Sequence, residues 1–318
     1  MPFFSIIVPA YNKGPHIDRC IRSIYNQSFT NYELIVVYDK STDSTLKELN
    51  RLKDERMAIY SRDMPGPGGY AARNLGIEKA NGDWIAFLDA DDEWYPDHLE
   101  NMVKVISKHP EVAIIGAGFK AVDDTSETIQ PYYTHSKEKG IHIVRFVDFL
   151  NIYLKKMRFA NTSVIVASKY VLDEIGGFPA GKTNKGGDLY TWIKIFAKYD
   201  GAWSPHLGAI TYHNAVNKVT SNSYFDIEFL KSVCDEVYIS SKGMKLLKMY
   251  INSLIVKDYV RYVVNDNRRG FSLYAKVFRI NPVKDITYFL LDKMPLVFLS
   301  KLFQRKLAHS YKLLENKK

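Results

Sequence analysis

Three aspartates leave one apolar run together. The string Phe87-Leu88-Asp89-Ala90-Asp91-Asp92-Glu93-Trp94 closes the segment that begins at Trp84, and it crowds three like charges into four positions. Such charges repel unless a cation or hydrogen bonds compensate them. An Asp-x-Asp pair at a strand end suits Mg2+ or Mn2+, hard ions that take one or two carboxylates and complete their shell with phosphate oxygens. The same string also serves as a solvated acidic turn ahead of a helix, and alone it does not choose. Two further carboxylates stand at comparable junctions. Asp39 follows the apolar run Leu34 to Val37, and Asp188 lies where the helical pattern Leu189-Tyr190-Thr191-Trp192 begins. A carboxylate poised there can take the proton of an attacking hydroxyl as a general base, or simply cap the helix. No Ser-His or Cys-His nucleophile pair is visible, so a covalent enzyme intermediate is not indicated.

The elements around these acids alternate. Phe3 to Pro9 is a β-branched run ended by proline, and His16 to Asn26 carries Ile17, Ile21, Ile24 and Tyr25 at helical spacing. Leu34 to Val37 reads as a second strand. Ser41-Thr42-Asp43-Ser44-Thr45 offers capping side chains before a helix with Leu46, Leu49 and Leu52. Ala58 to Tyr60 predicts a third strand, Pro65 to Gly69 a tight loop, Tyr70 to Ala80 a helix, and Trp84 to Leu88 a fourth strand. Ile114 to Phe119 and Ser163 to Ala167 add two more. The alternation predicts a largely parallel, doubly wound α/β sheet. Ligands bind at the carboxyl ends of such strands, which is where Asp39 and the Asp89 to Asp92 cluster would sit.

Five segments, taken in order, resemble the family 2 glycosyltransferases. They are S-I-I-V-P-A-Y-N (5 to 12), V-Y-D-K-S-T-D-S (37 to 44), A-A-R-N-L-G-I (71 to 77), W-I-A-F-L-D-A-D-D (84 to 92) and G-D-L-Y-T-W-I-K (187 to 194). The resemblance runs over roughly residues 3 to 215. It implies the GT-A fold, a Rossmann-like mixed sheet, and inverting transfer of a sugar from a nucleotide-sugar, with Mn2+ or Mg2+ as cofactor. It also implies roles. Pro9, Ala10 and Tyr11 would lie beside the nucleotide base, and Asp39 would accept a hydrogen bond from the base imide, usually that of uracil. Arg73 would contact the nucleotide, while Asp89 and Ala90 join the nucleotide-sugar set. Asp91, with Asp89, would hold the metal, and His213 matches a histidine that often completes the metal or diphosphate site. Asp188 matches the catalytic base. Each has a plainer alternative: Tyr11 packing, Asp39 as a turn acid, Arg73 as a solvated helix residue, His213 as a structural histidine. Two departures stand out. Gly187 replaces the usual glutamate before the base, and Tyr38-Asp39-Lys40 replaces the usual Asp-Asp-Gly.

Composition sets the frame. With 46% hydrophobic and 25% charged residues, the chain is an ordinary globular one. Its two cysteines, Cys20 and Cys234, form no Cys-x-x-Cys spacing, which predicts a reducing compartment. Without a leader-like start or about 18 consecutive apolar residues, the sequence predicts a cytoplasmic protein. The net charge of +9 lies entirely in residues 225 to 318, which hold 18 Lys and Arg against 9 Asp and Glu. We therefore expect a catalytic domain over 1–224 and a basic helical C-terminal extension over 225–318. Within the extension, Leu296, Leu299, Phe303, Leu307, Tyr311 and Leu314 form an apolar stripe flanked by Lys301, Arg305, Lys306 and Lys312. That pattern suits an anionic membrane surface on the inner face of the cell membrane, and equally suits packing on the protein's own core. The expected partners are a nucleotide-sugar donor and a glycan or lipid-linked acceptor. A nucleotide-sugar pyrophosphorylase would instead show a Gly-rich basic loop after the first strand, where Pro9-Ala10-Tyr11-Asn12 stands. A nucleic-acid-binding role would leave the neutral, motif-bearing part unexplained, and no nucleic acid is expected.

Overall fold

The structure is a computed structural model that describes residues 1–215 and 226–264. β1 (Phe4–Ala10) is the centre of a parallel half-sheet. It pairs with β2 (Tyr32–Asp39) on one side and β4 (Trp84–Phe87) on the other, while β3 (Met57–Arg62) extends beyond β2. The apolar runs of β1, β2 and β4 are buried on both faces, as a helix-covered parallel sheet requires, whereas β3 at the edge buries only Met57. Helices α1 (Ile17–Tyr25), α2 (Thr45–Leu52) and α3 (Tyr70–Lys79) connect them. The chain winds outward from β1 through β2 to β3, then returns to place β4 at the other side of β1. The crevice opened by that reversal is the ligand site of such sheets.

The parallel expectation holds for β3-β2-β1-β4 and fails beyond it. The full sheet runs β3-β2-β1-β4-β9-β6-β10-β5, where β5 is Glu93–Trp94, β6 Ile114–Val122, β9 Ile165–Ser168 and β10 Gly201–Tyr212. β9 is antiparallel to both β4 and β6, whereas β6 and β10 are parallel to each other. Short strands β7 (Glu127–Ile129) and β8 (His142–Val144) add antiparallel edges to β6 and β10. The sheet is therefore mixed, as the GT-A resemblance implies. Helices α4 (His98–Lys108), α5 (Pro131–Ser136), α6 (Phe146–Leu154), α7 (Lys169–Glu174) and α8 (Gly187–Lys198) complete this part.

Helices α9 (Ile227–Glu236) and α10 (Ser241–Val264) follow. The chain divides into compact units at Met1–Tyr250 and Ile251–Lys318, later than the 224/225 boundary read from the sequence. The reason is packing. α9 buries Leu230 and Val233, its Phe229 ring lies 4.7 Å from that of Tyr190 on α8, and the Tyr190 hydroxyl donates to Glu236 at 2.5 Å. A basic, helical composition thus begins before the first unit ends. In the second unit the described residues continue α10 to Val264; the apolar stripe of residues 296–318 and its proposed membrane contact lie outside the described residues. Among the described residues no helix is long and apolar enough to cross a membrane.

Beneath the sheet edge, His98 is fully buried at the start of α4, and its Nδ1 lies 3.1 Å from Nε2 of His206 on β10. Ser204 Oγ meets the other ring nitrogen of His206 at 2.8 Å. Burial holds His98 well below the ordinary histidine range and His206 down to about 4, with Asp97 opposing and Lys104 reinforcing the latter. The unfolded chain therefore takes up protons first as the pH drops below about 6.5. Stability from the neutral pair is complete above that value and drains as the pH falls towards about 4. Both rings contribute to the loss, the fully buried His98 as well as His206. Denaturant midpoints measured from pH 7 to 4.5 should show this slope, and His206→Gln should reduce it while the part due to buried His98 remains; an unchanged slope in the variant would remove His206 from the acid sensitivity.

Candidate active site

The site grows from the carboxyl ends of β1, β2 and β4. Strand register sets Ala10 beside Tyr38 and Asp39 beside Arg62. The Asp39 carboxyl is only 3% exposed, with Arg62 Nη1 3.0 Å from Oδ1 and donating to Oδ2 at 3.3 Å. Burial pushes its pKa up from the ordinary carboxylate range, while Arg62 and the Gly66 N–H pull it down. Its buried Oδ1 has the Arg62 guanidinium in ion-pair range but accepts no aligned hydrogen bond from a described residue, which leaves acceptor capacity for a further donor. At the neighbouring strand end Pro9 is half-buried, Ala10 is buried and the Tyr11 ring is 39% exposed, an uncommon position for so large a ring.

The loop after β1 is laced to the loop after β2. Asn12 adopts a left-handed backbone (φ 49°), accepts from the Thr42 N–H at 2.8 Å and donates its own N–H to Ser41 Oγ at 2.9 Å. The Lys13 N–H reaches Thr45 Oγ1 at 2.8 Å, and the Gly14 N–H reaches Asp43 Oδ2 at 2.9 Å. The Ser41 to Thr45 run, expected to cap α2, chiefly ties these loops together; the N-cap residue Ser44 makes no capping bond.

The three clustered aspartates divide their labour. Asp89 pairs with Arg73 Nη2, and Arg73 Nη1 donates to the Gly68 carbonyl at 2.8 Å. That carbonyl is turned inward because Gly68 and Gly69 both hold φ near 67°, a conformation that favours glycine. Asp91 Oδ2 lies 2.7 Å from Lys13 Nζ, and its carbonyl accepts from Arg19 Nη2 at 2.7 Å. Asp92 is buried. It accepts from Ser163 Oγ at 2.5 Å and from the Tyr212 N–H at 3.2 Å, joining the acidic loop to β10. Burial, with Asp89 and Asp91 nearby, raises its pKa well above the ordinary carboxylate range. Ala90 is buried between them.

Whether these residues suit a divalent cation turns on the donors left over. Asp89 pairs with Arg73 and Asp91 with Lys13 through one oxygen each, and no hydrogen bond from a described residue occupies the other. Two carboxylate oxygens on one loop fit an octahedral ion that draws its remaining ligands from phosphate and water. They do not form a preformed cage. Among the described residues no group of three or more His, Cys, Asp or Glu converges on one point. The His213 side chain is exposed just past β10, where its backbone N–H donates to the Val122 carbonyl at 2.7 Å.

Asp188 arrives from the other side. It is the second residue of α8, whose N-cap is Gly186, so the capping alternative does not apply. The first turn of a helix favours a negative charge. α8 is seated on β4 by its Trp192 ring, which lies 6.1 Å from Phe87 and 5.5 Å from Phe178; Phe178 in turn meets Phe87 edge-on at 5.4 Å. Phe87 is two residues before Asp89, so the Asp-x-Asp loop and the helix carrying Asp188 share one aromatic anchor. The absent glutamate also has a physical reason. A Cβ on Gly187 would lie 2.7 Å from Tyr70 Cζ and 2.9 Å from Pro179 Cγ, so this position has no room for a side chain.

Residues 5–175 match the sequence profile of glycosyl transferase family 2. The chain belongs to that family. An uncharacterized glycosyltransferase of Haemophilus influenzae is 43% identical over 105 residues, 32% of this chain and 42% of that protein. Glycosyltransferase AglE of Haloferax volcanii is 32% identical over 203 residues, 61% of either chain. This chain thus spans about two fifths to three fifths of the length of those relatives. TuaG of Bacillus subtilis, a glycosyltransferase named for teichuronic acid biosynthesis, is 26% identical over 70% of this chain and 83% of its own. Among solved structures, residues 1–349 of Staphylococcus aureus TarS in complex with UDP-GlcNAc superpose with a TM-score of 0.67 at 19% identity, covering 79% of this chain and 72% of that one. At that identity the likeness establishes the GT-A fold.

Sequence reasoning placed Asp39 and the Asp89 to Asp92 cluster at the carboxyl edge of the parallel half-sheet, where the structure also sets them; Pro9 and Ala10 end β1 beside them, and Arg73 reaches Asp89 from α3. It missed Arg62, Lys13, Tyr70 and Ser163. Arg62 was legible in principle as the residue ending the strand beside β2. Ser163 was not, because its role depends on β9 lying antiparallel against β4.

Proposed function

We propose that this chain is an inverting glycosyltransferase that moves a sugar from a nucleotide-sugar, in the first instance a UDP-sugar, to a hydroxyl of a glycan or lipid-linked acceptor in polysaccharide biosynthesis. The observation that carries it is the buried Asp39 carboxylate at the end of β2, whose Oδ1 is ion-paired with Arg62 but accepts no aligned hydrogen bond from a described residue, with the Tyr11 ring 39% exposed just past the end of the neighbouring β1. A flat base with an imide N–H satisfies both: the ring supplies a stacking face and the carboxylate an acceptor. That TarS is solved with UDP-GlcNAc, and a Pyrobaculum calidifontis mannosyltransferase with GDP-Man and Mn2+, supports a nucleotide-sugar in this edge of the fold.

From the base, the diphosphate would run along the strand ends towards Arg73, Lys13 and the Asp89–Asp91 loop. A Mn2+ or Mg2+ ion held by Asp91 and Asp89, with His213 as a further candidate, would offset the charge growing on the leaving diphosphate. Asp188 removes the acceptor hydroxyl proton as that oxygen attacks the anomeric carbon from the face opposite the diphosphate, which inverts the centre. The chain's own side chains thus bind the base, orient the diphosphate and hold one proton.

Incubation with a panel of UDP-, GDP- and TDP-sugars, reading nucleotide release and product anomer by NMR, tests the reading; retention of configuration or no release from any donor would reject it. Asp39→Ala should weaken UDP and the UDP-sugar alike by roughly ten- to a hundredfold, the scale of one hydrogen bond to a charged group. Calorimetry showing unchanged UDP affinity would remove Asp39 from the base site.

A further inference from the structure

The first turn of α3 touches both halves of the site. Arg73 holds Asp89 on one side. Three residues earlier, on the same helix face, Tyr70 is buried, and its hydroxyl accepts the Gly187 N–H at 2.9 Å, at the opening of α8. Its ring stacks on Phe178 at 6.1 Å with an interplanar angle of 11°, and Phe178 also packs against Trp192 of α8 and lies 5.6 Å beneath the Arg73 guanidinium. Burial, with Asp188 nearby, pushes the Tyr70 hydroxyl up to about 12, so it stays protonated across any ordinary assay range. The space a Cβ on Gly187 would need is filled by this ring.

We propose that Tyr70 is a positioning residue that fixes Asp188 relative to the donor-binding acids, by holding the opening N–H of α8 from the same helical turn that carries Arg73. The inference rests on Asp188 being the base. Its logic is geometric. The N–H groups of a helix's first turn lack intrahelical partners, and here one of them is satisfied by a side chain rooted in the donor site instead of by a local cap. A displacement of α3 is thereby passed to the backbone one residue from Asp188. General-base catalysis is sensitive to misplacement on the ångström scale, whereas donor binding does not depend on where α8 begins. Gly187 is the complementary half of the device, because any side chain there would force Tyr70 out.

Tyr70→Phe keeps the ring and removes only the hydroxyl. It should lower kcat about tenfold, the scale of one hydrogen bond expressed in the transition state, while donor Kd and KM stay within about twofold. A structural role alone would move melting temperature and donor affinity in step with kcat, and that result, or an unchanged kcat, would overturn the proposal. A second test keeps it falsifiable should one variant fold poorly. Gly187→Ala should cost roughly tenfold or more in kcat beside Tyr70 and less than about threefold in a Tyr70→Ser background. The contact with Pro179 is common to both backgrounds and cancels; equal losses in the two would overturn the pairing. Asp188→Asn measured in parallel separates the layers. If it retains turnover, the base assignment itself fails; if it abolishes turnover while Tyr70→Phe behaves as wild type, only the positioning role fails.

Discussion

Asp188→Asn should lower turnover by about a hundredfold or more, the usual scale for loss of a general base, with donor affinity nearly unchanged. The amide keeps the shape of the side chain and cannot accept the proton. The acids Asp173 and Glu174 are already engaged. Asp173 is ion-paired with Lys169 at 2.7 Å, and Glu174 pairs with Lys198 at 2.8 Å and accepts from the Tyr199 hydroxyl. Asp188, by contrast, accepts no side-chain hydrogen bond from a described residue and is partly exposed at the opening of α8. Rapid-quench measurement of the first turnover, with calorimetry for the donor, checks both parts. Turnover within about threefold of wild type would mean that the acceptor proton leaves by another route. A parallel loss of donor affinity would mean that Asp188 belongs to the donor site.

The half of the candidate site proposed to bind the donor was readable from sequence because its residues are placed locally. A parallel strand ends, the chain turns, and the residue at the turn stands at the carboxyl edge whatever happens elsewhere. Asp39 after β2 and Asp89 after β4 follow that rule, so an apolar run plus an acid located them. The second half follows no such rule. β9, β6 and β10 pair through mixed directions at large sequence separations, and no periodicity in one strand announces its partner. Hence Ser163, which links the Asp89 N–H, Asp92 and the Trp94 side chain, gave no sequence signal. Gly187 gave a signal whose meaning needed the structure. In the sequence it is only a departure from a motif, and in the structure it leaves room for the Tyr70 ring. The capping run at Ser41 to Thr45 shows the same limit: Asp43 does accept the Thr45 N–H at 3.0 Å at the start of α2, but the bonds tying Ser41, Asp43 and Thr45 to the loop after β1 span 29 to 32 residues.

The acidic loop itself offers the sharpest division between chemistry and structure. Asp91→Ala should abolish transfer and the metal-dependent part of nucleotide binding while leaving the fold intact. Asp92→Ala, one residue on, should instead destabilise the protein. The two side chains differ in what they hold. Asp91 Oδ2 meets Lys13 near the surface, its other oxygen has no hydrogen bond, and the bond from Arg19 is to the Asp91 carbonyl, which alanine retains. Asp92 is buried and binds Ser163 Oγ and the Tyr212 N–H, so truncation strands two buried donors at about 1–3 kcal/mol each. Melting curves should therefore separate the variants before any assay is run. Titration of UDP with and without Mn2+ then isolates the role of Asp91: wild type should bind more tightly with the ion and lose that gain in EDTA, and Asp91→Ala should bind equally with and without it. Full transfer by Asp91→Ala, or by wild type in EDTA, would leave Lys13 and Arg73 as the charges that stabilise the leaving diphosphate and would assign this chain a metal-independent reaction.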